Sequence, residues 1–598
     1  MTYWKNLLLN KCYYKLNIRE SFNKKIWQLA EFDERKSLMI SQNFNINNFL
    51  SKLIAIKNID IGDINFYLEP DINKILPDPF ILKDMEKSVI RIFKSILNKE
   101  RIGIISDYDV DGSSSAALLI KFFDYIDVEY TLEIPDRINE GYGPNLRIID
   151  SFKKNNIDLI LCLDCGTTSF DTFNKSTLNN IDVIVIDHHI GEIKFPYVYG
   201  LINPNRIDEK NDLKNLAAVG VVFLMLIALR RELRKNDYYK LNNYKEHNLT
   251  SYLDLVALGT ICDVVSLKKL NRAYVYKGLK VLYKRENLGL SSLIDNSNIR
   301  RVPNVFDLSF IIGPRLNAAS RIGNPNLASK VLSSNNILEI ESISRKLQLL
   351  NEKRKLIENK IINEARDQAY KQLKKKVIIV NSFNWHPGVI GIVASRILDE
   401  FQKPVIVISK NESEGVGSAR STNNIDLGSI IIAAKEEGLL IKGGGHKFAA
   451  GLKIKNSKID QFSNFIEKII ESHFNESFEN IIIFDSVLSL EEINENLIEN
   501  LEVLEPYGNG NTEPKFIIEN LVIDFIKVIK DKHIMIVFRN NLGNTIKAIS
   551  FNSIDTPLGD NLLNSKNKSL NVLVNIKRDN FKNENIAQLI VIDAINYQ

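Results

Sequence analysis

The chain has 598 residues, 44% hydrophobic and 25% charged, which excludes a disordered or fibrous protein and leaves room for several domains. Its formal charge of +5 is too small over this length to argue for nucleic-acid binding without a local patch, and four cysteines exclude a disulfide framework. The longest apolar run, 217–229, is too short for a membrane helix, so the sequence predicts a soluble, cytoplasmic protein without a membrane partner.

Residues 1–65 mix Trp4, Trp27 and scattered charges without a clean period and read as an irregular or helical extension. From Arg101 onwards, short β-branched runs (IGIIS, IDLILCLD, DVIVID) alternate with helical stretches such as SSSAALLIKFFDYI, the pattern of a parallel sheet with covering helices. Helical pattern dominates over 216–283. No Gly or Pro occurs between Asn326 and His386, and Ile343, Leu347, Leu350, Ile357, Ile361, Ala365, Ala369 and Leu373 form a helical stripe. A helix of about 30 residues spans roughly 45 Å, enough to join two lobes over a cleft admitting one strand. A second strand-and-helix region runs from 377 to the glycine-rich GGGHKFAAG at 443–451. Beyond about 475 short strands suggest a small barrel or sandwich, with Phe516, Phe525 and Phe538 read as its core. The predicted boundaries are 1–65, 66–335, 336–376 (the connector), 377–474 and 475–598.

The strongest chemical signal is SDYDVDGSSS, where a strand runs into Asp107, Asp109 and Asp111. Three carboxylates within five residues repel one another and raise each other's pKa, a cost that a cation removes. The event recurs at Asp164 and again at Asp187, His188 and His189, each at a strand end, and in a parallel sheet such ends share one crevice. The helical segment YLDLVALGTICDVV delivers Asp263. DYDVDG alone reads equally well as a helix cap or a solvated turn, and adjacent histidines alone are more often structural; their joint occurrence at successive strand ends argues for Mg²⁺ or, given the imidazoles, Mn²⁺. There are ligands for two ions, the apparatus of phosphoryl-ester cleavage. Cys162 and Cys165 have CxxC spacing, but in an extended segment their thiols are expected on opposite faces, and no second pair completes a zinc site.

DYDVDG, LDCGTTS, DHH and GTICDVV resemble the four motifs of the DHH phosphoesterase superfamily. YLEPDINKILPDPFILKDM, GPRLNAASRIG, NWHPGVIGIVASR, GSARS, GGGHKFAAG and LEPYGNGNTEPKF are similar to its single-stranded-DNA exonuclease branch, over 66–516 at least. The resemblance implies an α/β protein: a parallel-sheet DHH lobe, a long helix, a second α/β (DHH-associated) lobe and a C-terminal OB-like barrel. It places Asp109, Asp111, Asp164, His188, His189 and Asp263 on metal-ligand positions and gives Asp107, Asp187 and His189 catalytic or supporting roles. Two Mn²⁺ or Mg²⁺ ions are implied, and so is 5′-to-3′ hydrolysis of single-stranded DNA in repair and recombination. The partners implied are single-stranded DNA, a single-strand-binding protein and a helicase, acting with a monomer.

Within these motifs, Ser418 and Arg420 are the expected phosphate grip, joined by Arg315, Arg321, Arg396 and His386, because arginine forks match phosphate oxygens. Gly444 and Gly445 would let main-chain N–H groups approach a ligand beside His446. The barrel is expected to bind single strands through a basic groove and stacking. No GxxxxGK[ST] loop occurs, and the 415–420 segment lacks the third glycine of a dinucleotide site. Two other readings are a small-substrate DHH enzyme, against which the C-terminal region argues, and a DNA-binding relative without metals, against which the complete ligand set argues.

Overall fold

The computed structural model describes residues 21–421, 425–473, 481–579 and 587–597; the part of the expected N-terminal extension before residue 21, Trp4 included, lies outside them. These residues fall into two compact units: a larger one made of the described residues within 76–265 and 277–476, and a smaller one made of those within 21–75, 266–276 and 481–597. Among the described residues, no helix is long and apolar enough to cross a membrane.

The larger unit begins with a five-stranded, all-parallel sheet. Its strands are β1 (Ile102–Ser106), β2 (Tyr130–Glu133), β3 (Leu159–Leu163), β4 (Asp182–Ile186) and β5 (Gly200–Ile202), in the order β2-β1-β3-β4-β5. β1 and β3 are apolar at nearly every position and wholly buried, as strands covered on both faces must be. The apolar run noted in the sequence lies in helix α2 (Ala218–Lys235), which packs with α1 (Val110–Tyr125) and α3 (Leu253–Cys262). Its burial in the core accounts for its hydrophobicity. A six-residue π-helix, Asp307–Ile312, leads into α4 (Gly313–Ile322).

The connector is α5 (Ile337–Tyr370), 34 residues long. Its first turns pack on α4 and its last on the second lobe. The stripe differs from expectation: Leu350 and Ile357 are only half buried, Leu373 lies beyond the helix and is exposed, and the buried positions between Leu347 and Ile361 are Asn351, Arg354 and Glu358. The Arg354 guanidinium donates to Asn351 Oδ1 (2.9 Å) and Glu358 Oε2 (2.8 Å), so the middle of the helix is a satisfied polar stretch between two apolar ends.

The second lobe is a sheet of β6 (Ile378–Phe383), β7 (Val405–Lys410), β8 (Glu414–Arg420), β9 (Lys442–His446) and β10 (Ala449–Lys455), in the order β9-β10-β8-β7-β6. Only β6 and β7 are parallel. Helix α6 (Ile390–Phe401) packs on β7 and β8.

In the smaller unit, Phe516–Ile529, His533–Arg539, Thr545–Ser550, Ala587–Asn596 and Ser569–Arg578 close a five-stranded barrel, because Phe516–Ile529 pairs with both His533–Arg539 and Ser569–Arg578. Register shifts at Ile518/Leu521 and Ile523/Phe525 bend that strand enough to serve both neighbours. Phe516 and Phe538 lie in the core, but Phe525 is 47% exposed, a correction to its reading as core: the shift beside it turns it outwards. Helices Glu34–Phe44 and Asn48–Ile56 bury Ile40, Leu50, Leu53 and Ile54 in the barrel's hydrophobic cluster.

Candidate metal centre and phosphate grip

The strand ends of the larger unit stand in register. The N–H of Asp107 donates to Leu163 O (3.2 Å), that of Asp164 to Ile186 O (2.9 Å) and that of Asp187 to Ile202 O (3.1 Å), so the three acids line one sheet edge. Asp109 caps α1 by accepting the Gly112 N–H at 3.0 Å. A Cβ on Gly112 would lie 2.4 Å from Asp107 O, so only glycine lets the helix start fold this tightly over the strand end. Asp111 accepts the N–H groups of Ala218 (2.6 Å) and Val219 (3.0 Å) at the start of α2, and Asp263 is the C-cap of α3.

These elements converge on His188. Its Nε2 lies 3.4 Å from Asp164 Oδ1, 3.6 Å from Asp263 Oδ2 and 3.9 Å from Asp111 Oδ2. Three overlapping groups each bring ligand atoms within 4.8 Å of one another: Asp107, Asp109 and Asp164; Asp111, His188 and Asp263; Asp164, His188 and His189. Asp164 and His188 are each shared by two of the groups, which gives the crevice the layout of two adjoining cation sites.

Burial and mutual repulsion act as the spacing predicts. Burial, then Asp109, pushes Asp111 up to about 7, and burial, then Asp111 and Asp109, pushes Asp263 up to about 9. Asp107 and Asp164 are likewise raised well above the carboxylate range, chiefly by burial. Burial, with His189 alongside, lowers His188 to about 4, so its ring is neutral at physiological pH. For His189 burial opposes charge, but the hydrogen bond to Asp187 wins and lifts it to about 9. The centre fits a cation. Asp107 Oδ1, Asp164 Oδ1, Asp263 Oδ2 and His188 Nε2 are buried without a hydrogen-bond partner among the described residues, an arrangement that hard oxygen donors and an imidazole tolerate only around a positive charge.

Asp187 stands apart from the other acids. Its Oδ2 accepts from Thr167 N (3.1 Å) and Thr167 Oγ1 (2.6 Å), and its Oδ1 accepts the N–H groups of His188 (2.7 Å) and His189 (3.1 Å) and meets His189 Nδ1 at 2.8 Å. Despite burial, these bonds hold it far below the usual carboxylate range. It holds the main chain of both histidines and the ring of His189 in place. Tyr142, which sequence reasoning missed, donates its hydroxyl to Asp164 O (3.1 Å) and meets His189 Nδ1 at 3.0 Å. Its only sequence signal is the turn EGYG, where Gly141 and Gly143 both take positive φ.

Cys162 and Cys165 correct the sequence reading. Their sulfurs are 3.5 Å apart and both are buried, because the chain leaves the strand after Leu163, and Asp164 (φ 59°) and Gly166 (φ 111°) end the alternation of faces.

The second lobe carries the residues expected to grip a phosphate. Arg420 Nη1 donates to Ser418 Oγ (3.1 Å) and Ala419 O (2.8 Å), beneath α6, where Gly391 leaves room for both side chains. Arg321 Nη1, from α4, donates to Gly388 O at 2.9 Å, joining the first lobe to the NWHPG loop. A third arginine, Arg137, unmarked in the sequence because its turn follows no period, lies 4.7 Å over the Tyr108 ring. Burial, followed by Arg137 and Arg354, pushes Arg321 down to about 9, with Arg420 adding to it; burial and then Arg137 also lower Arg420. No described carboxylate forks Arg137, Arg321 or Arg420, so these three form a crowded cationic cluster.

The other expected residues are placed differently. Arg315 is engaged with Gln348 Oε1 (2.7 Å) and Ile311 O (2.5 Å), and Arg396, 64% exposed on its side chain, lies 3.8 Å from Glu358. His386 Nδ1 accepts the Gly388 N–H at 3.1 Å, which orders the loop that meets Arg321. Gly444 faces open space, Gly445 packs its α-carbon against Ala449 and Ala450, and His446 is exposed beside them.

Comparison with known proteins gives three family matches: the DHH family N-terminal domain over residues 101–260, the DHHA1 domain over 372–472 and the RecJ OB domain over 484–593. The single-stranded-DNA-specific exonuclease RecJ of Haemophilus influenzae is 30% identical over 537 residues, 87% of this chain and 92% of that one. RecJ of Escherichia coli is 30% identical, covering 73% of this chain and 78% of its own length; that of Bacillus subtilis is 29% identical, and the match spans 66% of the Bacillus protein. The fold matches that of Thermus thermophilus RecJ, solved with Mn²⁺, at a TM-score of 0.79 and 24% identity, over 96% of this chain and 80% of that one. An exonuclease RecJ bound to manganese matches at a TM-score of 0.56 and 29% identity, over 66% of this chain and 95% of that one.

Proposed function

The chain belongs to the RecJ family of single-stranded-DNA-specific exonucleases, and from that premise we propose that it hydrolyses single-stranded DNA stepwise from the 5′ end, releasing mononucleotides. Asp107, Asp109, Asp111, Asp164, His188, His189 and Asp263 would hold two divalent ions, Mn²⁺ or Mg²⁺. When bound, such ions make water a nucleophile at neutral pH and neutralise charge on the phosphodiester. The chain's own residues do the rest. Asp187 and Tyr142 fix His189, Asp111 ties the centre to α2, and Arg137, Arg321, Arg420 and Ser418 grip a phosphate.

The observation that carries the reading is the pairing of two unbalanced clusters: buried ligand atoms without partners in the first lobe, and arginines without carboxylates where Arg321 meets the second. A cation balances the first and a DNA phosphate the second. We infer that the space between the lobes joined by α5 takes one strand and not a duplex about 20 Å across. Roles in repair and recombination, as a monomer with a single-strand-binding protein and a helicase, follow from the family as part of this proposal.

Digestion of 5′-labelled and 3′-labelled single strands and duplexes tests it. The expected result is early release of the 5′ label as a mononucleotide with Mn²⁺ or Mg²⁺, sparing of blunt duplex, and no cleavage with chelator. Early release of the 3′ label, or cleavage in chelator, would overturn the reading.

A further inference from the structure

The hairpin next to the phosphate grip carries an aromatic side chain that neither the fold nor the grip uses. β9 and β10 are joined by two residues, Lys447 and Phe448, with His446 opposite Ala449 as the closing pair. Two-residue hairpin turns favour Gly, Asn and Asp, so a Lys-Phe tip meets no demand of the turn. The Phe448 ring is 46% exposed and takes no part in the lobe's hydrophobic cluster.

The tip is nevertheless held in place. Phe448 O accepts the Ser421 N–H at 3.0 Å, Lys447 O accepts the Leu427 N–H at 3.2 Å, and Ala449 lies opposite Arg420 in the ladder. Phe448 is thus anchored to the residue that follows Arg420. Lys447 Nζ sits 5.7 Å from the ring centroid, and the His446 ring meets it edge-on at 6.4 Å.

We propose that Phe448, flanked by Lys447, is a stacking plate for a nucleobase of the strand whose phosphate is held by Ser418 and Arg420. An aromatic face accepts every base, which a nuclease that reads no sequence requires, and a neighbouring lysine suits the next phosphate. The inference rests on the functional reading above and adds a base subsite to it.

The test uses the full chain, 3′-fluorescein single strands with a 5′ phosphate, and a set in which one of the first four nucleotides is abasic. Anisotropy in chelator should show wild-type protein losing about ten-fold in affinity when one particular base is missing, about 1.4 kcal/mol. Phe448→Ala should bind the intact strand about ten-fold more weakly and ignore that lesion, while Phe448→Trp should keep the discrimination; melting temperatures of both variants should match wild type. Wild-type affinity with unchanged base discrimination in Phe448→Ala overturns the inference and leaves the nuclease reading standing. Failure of the wild-type chain to cleave labelled single strands overturns both.

Discussion

His188 and His189 are adjacent in sequence yet sit in opposite charge environments. His188 is buried among carboxylates that lack partners, and His189 is locked to Asp187. The neutral ring is the better ligand, and the charged one stabilises the centre before any cation arrives. At Asp263, burial and repulsion from Asp111 and Asp109 outweigh the help of His189, and its Oδ2 is buried without a hydrogen-bond partner among the described residues. Asp263→Asn should therefore lower cleavage at least a hundred-fold, since loss of even an outer partner of a metal ligand costs about 10–100-fold. In chelator above about pH 9, where Asp263 ionises among its neighbours, the same variant should melt above wild type, and it should lose most of the stabilisation by Mn²⁺ seen in wild type. Equal melting of the two proteins with and without Mn²⁺ would take Asp263 out of the centre.

The crowded carboxyls also set the pH dependence of the metal-free protein. Asp111 is raised from 3.8 to about 7, Asp263 from 3.8 to about 9, and His189 from 6.5 to about 9, so the native state holds extra protons and loses stability as pH rises through those values. His188, lowered from 6.5 to about 4, acts in the opposite sense, but only below 6.5. Between about pH 6.5 and 9 the melting temperature in chelator should fall, and saturating Mn²⁺ should flatten the slope. A rise over that window would contradict the assignment. At the grip, Arg137→Ala and Arg420→Ala should each slow digestion of 5′-phosphorylated strands about ten- to a hundred-fold, the worth of a charge-assisted fork. Strands with a 5′ hydroxyl should be slowed much less; equal slowing would show that neither residue reads the terminal phosphate.

At the scale of elements, the meeting of α4 with the NWHPG loop ties the first lobe, with its candidate metal centre, to the second, with the proposed grip. A Cβ at Gly388 would fall 2.2 Å from Arg321 O, a main-chain atom that cannot swing aside. Gly388→Ala should force the loop off the helix at a cost of about 1–3 kcal/mol in stability, as overpacking does elsewhere. Cleavage should fall while Mn²⁺ binding, measured by calorimetry, stays intact, because every ligand lies on the other side of that contact. Unchanged turnover would mean that the loop is not what spaces the two clusters. The connector shows why this contact matters: its two ends are held by apolar packing, but its middle offers only the Asn351–Arg354–Glu358 network, so the loop and helix must supply the register there.

At the scale of the whole molecule, the barrel is not a removable appendage. The helices at 34–44 and 48–56 bury their apolar faces in its cluster, and Arg272, fully buried, donates to the carbonyls of Tyr67 (2.9 Å), Leu504 (3.2 Å) and Glu505 (2.7 Å). Truncation after residue 476 would strip the Leu504 and Glu505 carbonyls from this buried arginine and leave it the Tyr67 carbonyl alone of the three. The truncated chain should bind a hydrophobic dye and aggregate on sedimentation. A soluble, monodisperse product that still digests short oligonucleotides would show that the larger unit folds by itself.

The sequence by itself determined the local chemistry. Consecutive apolar residues ending in acids announce buried parallel strands whose ends share one edge, and so the meeting of Asp107, Asp109, Asp111, Asp164, His188, His189 and Asp263 was legible from their position at element ends. The long helix was legible from its lack of breakers, and the closed barrel in part from its alternation. Tertiary structure decided what depends on contacts between distant segments. It put Arg137 and Tyr142, from a turn without a period, beside residues hundreds or tens of positions away. It gave Asp187 to the histidines, Arg315 to Gln348 and Arg396 to the neighbourhood of Glu358, since a side chain's partner is set by packing and not by its own motif. It also brought the Cys162 and Cys165 sulfurs together, because alternation of faces holds only while the backbone stays extended, and a single left-handed residue at Asp164 ends it.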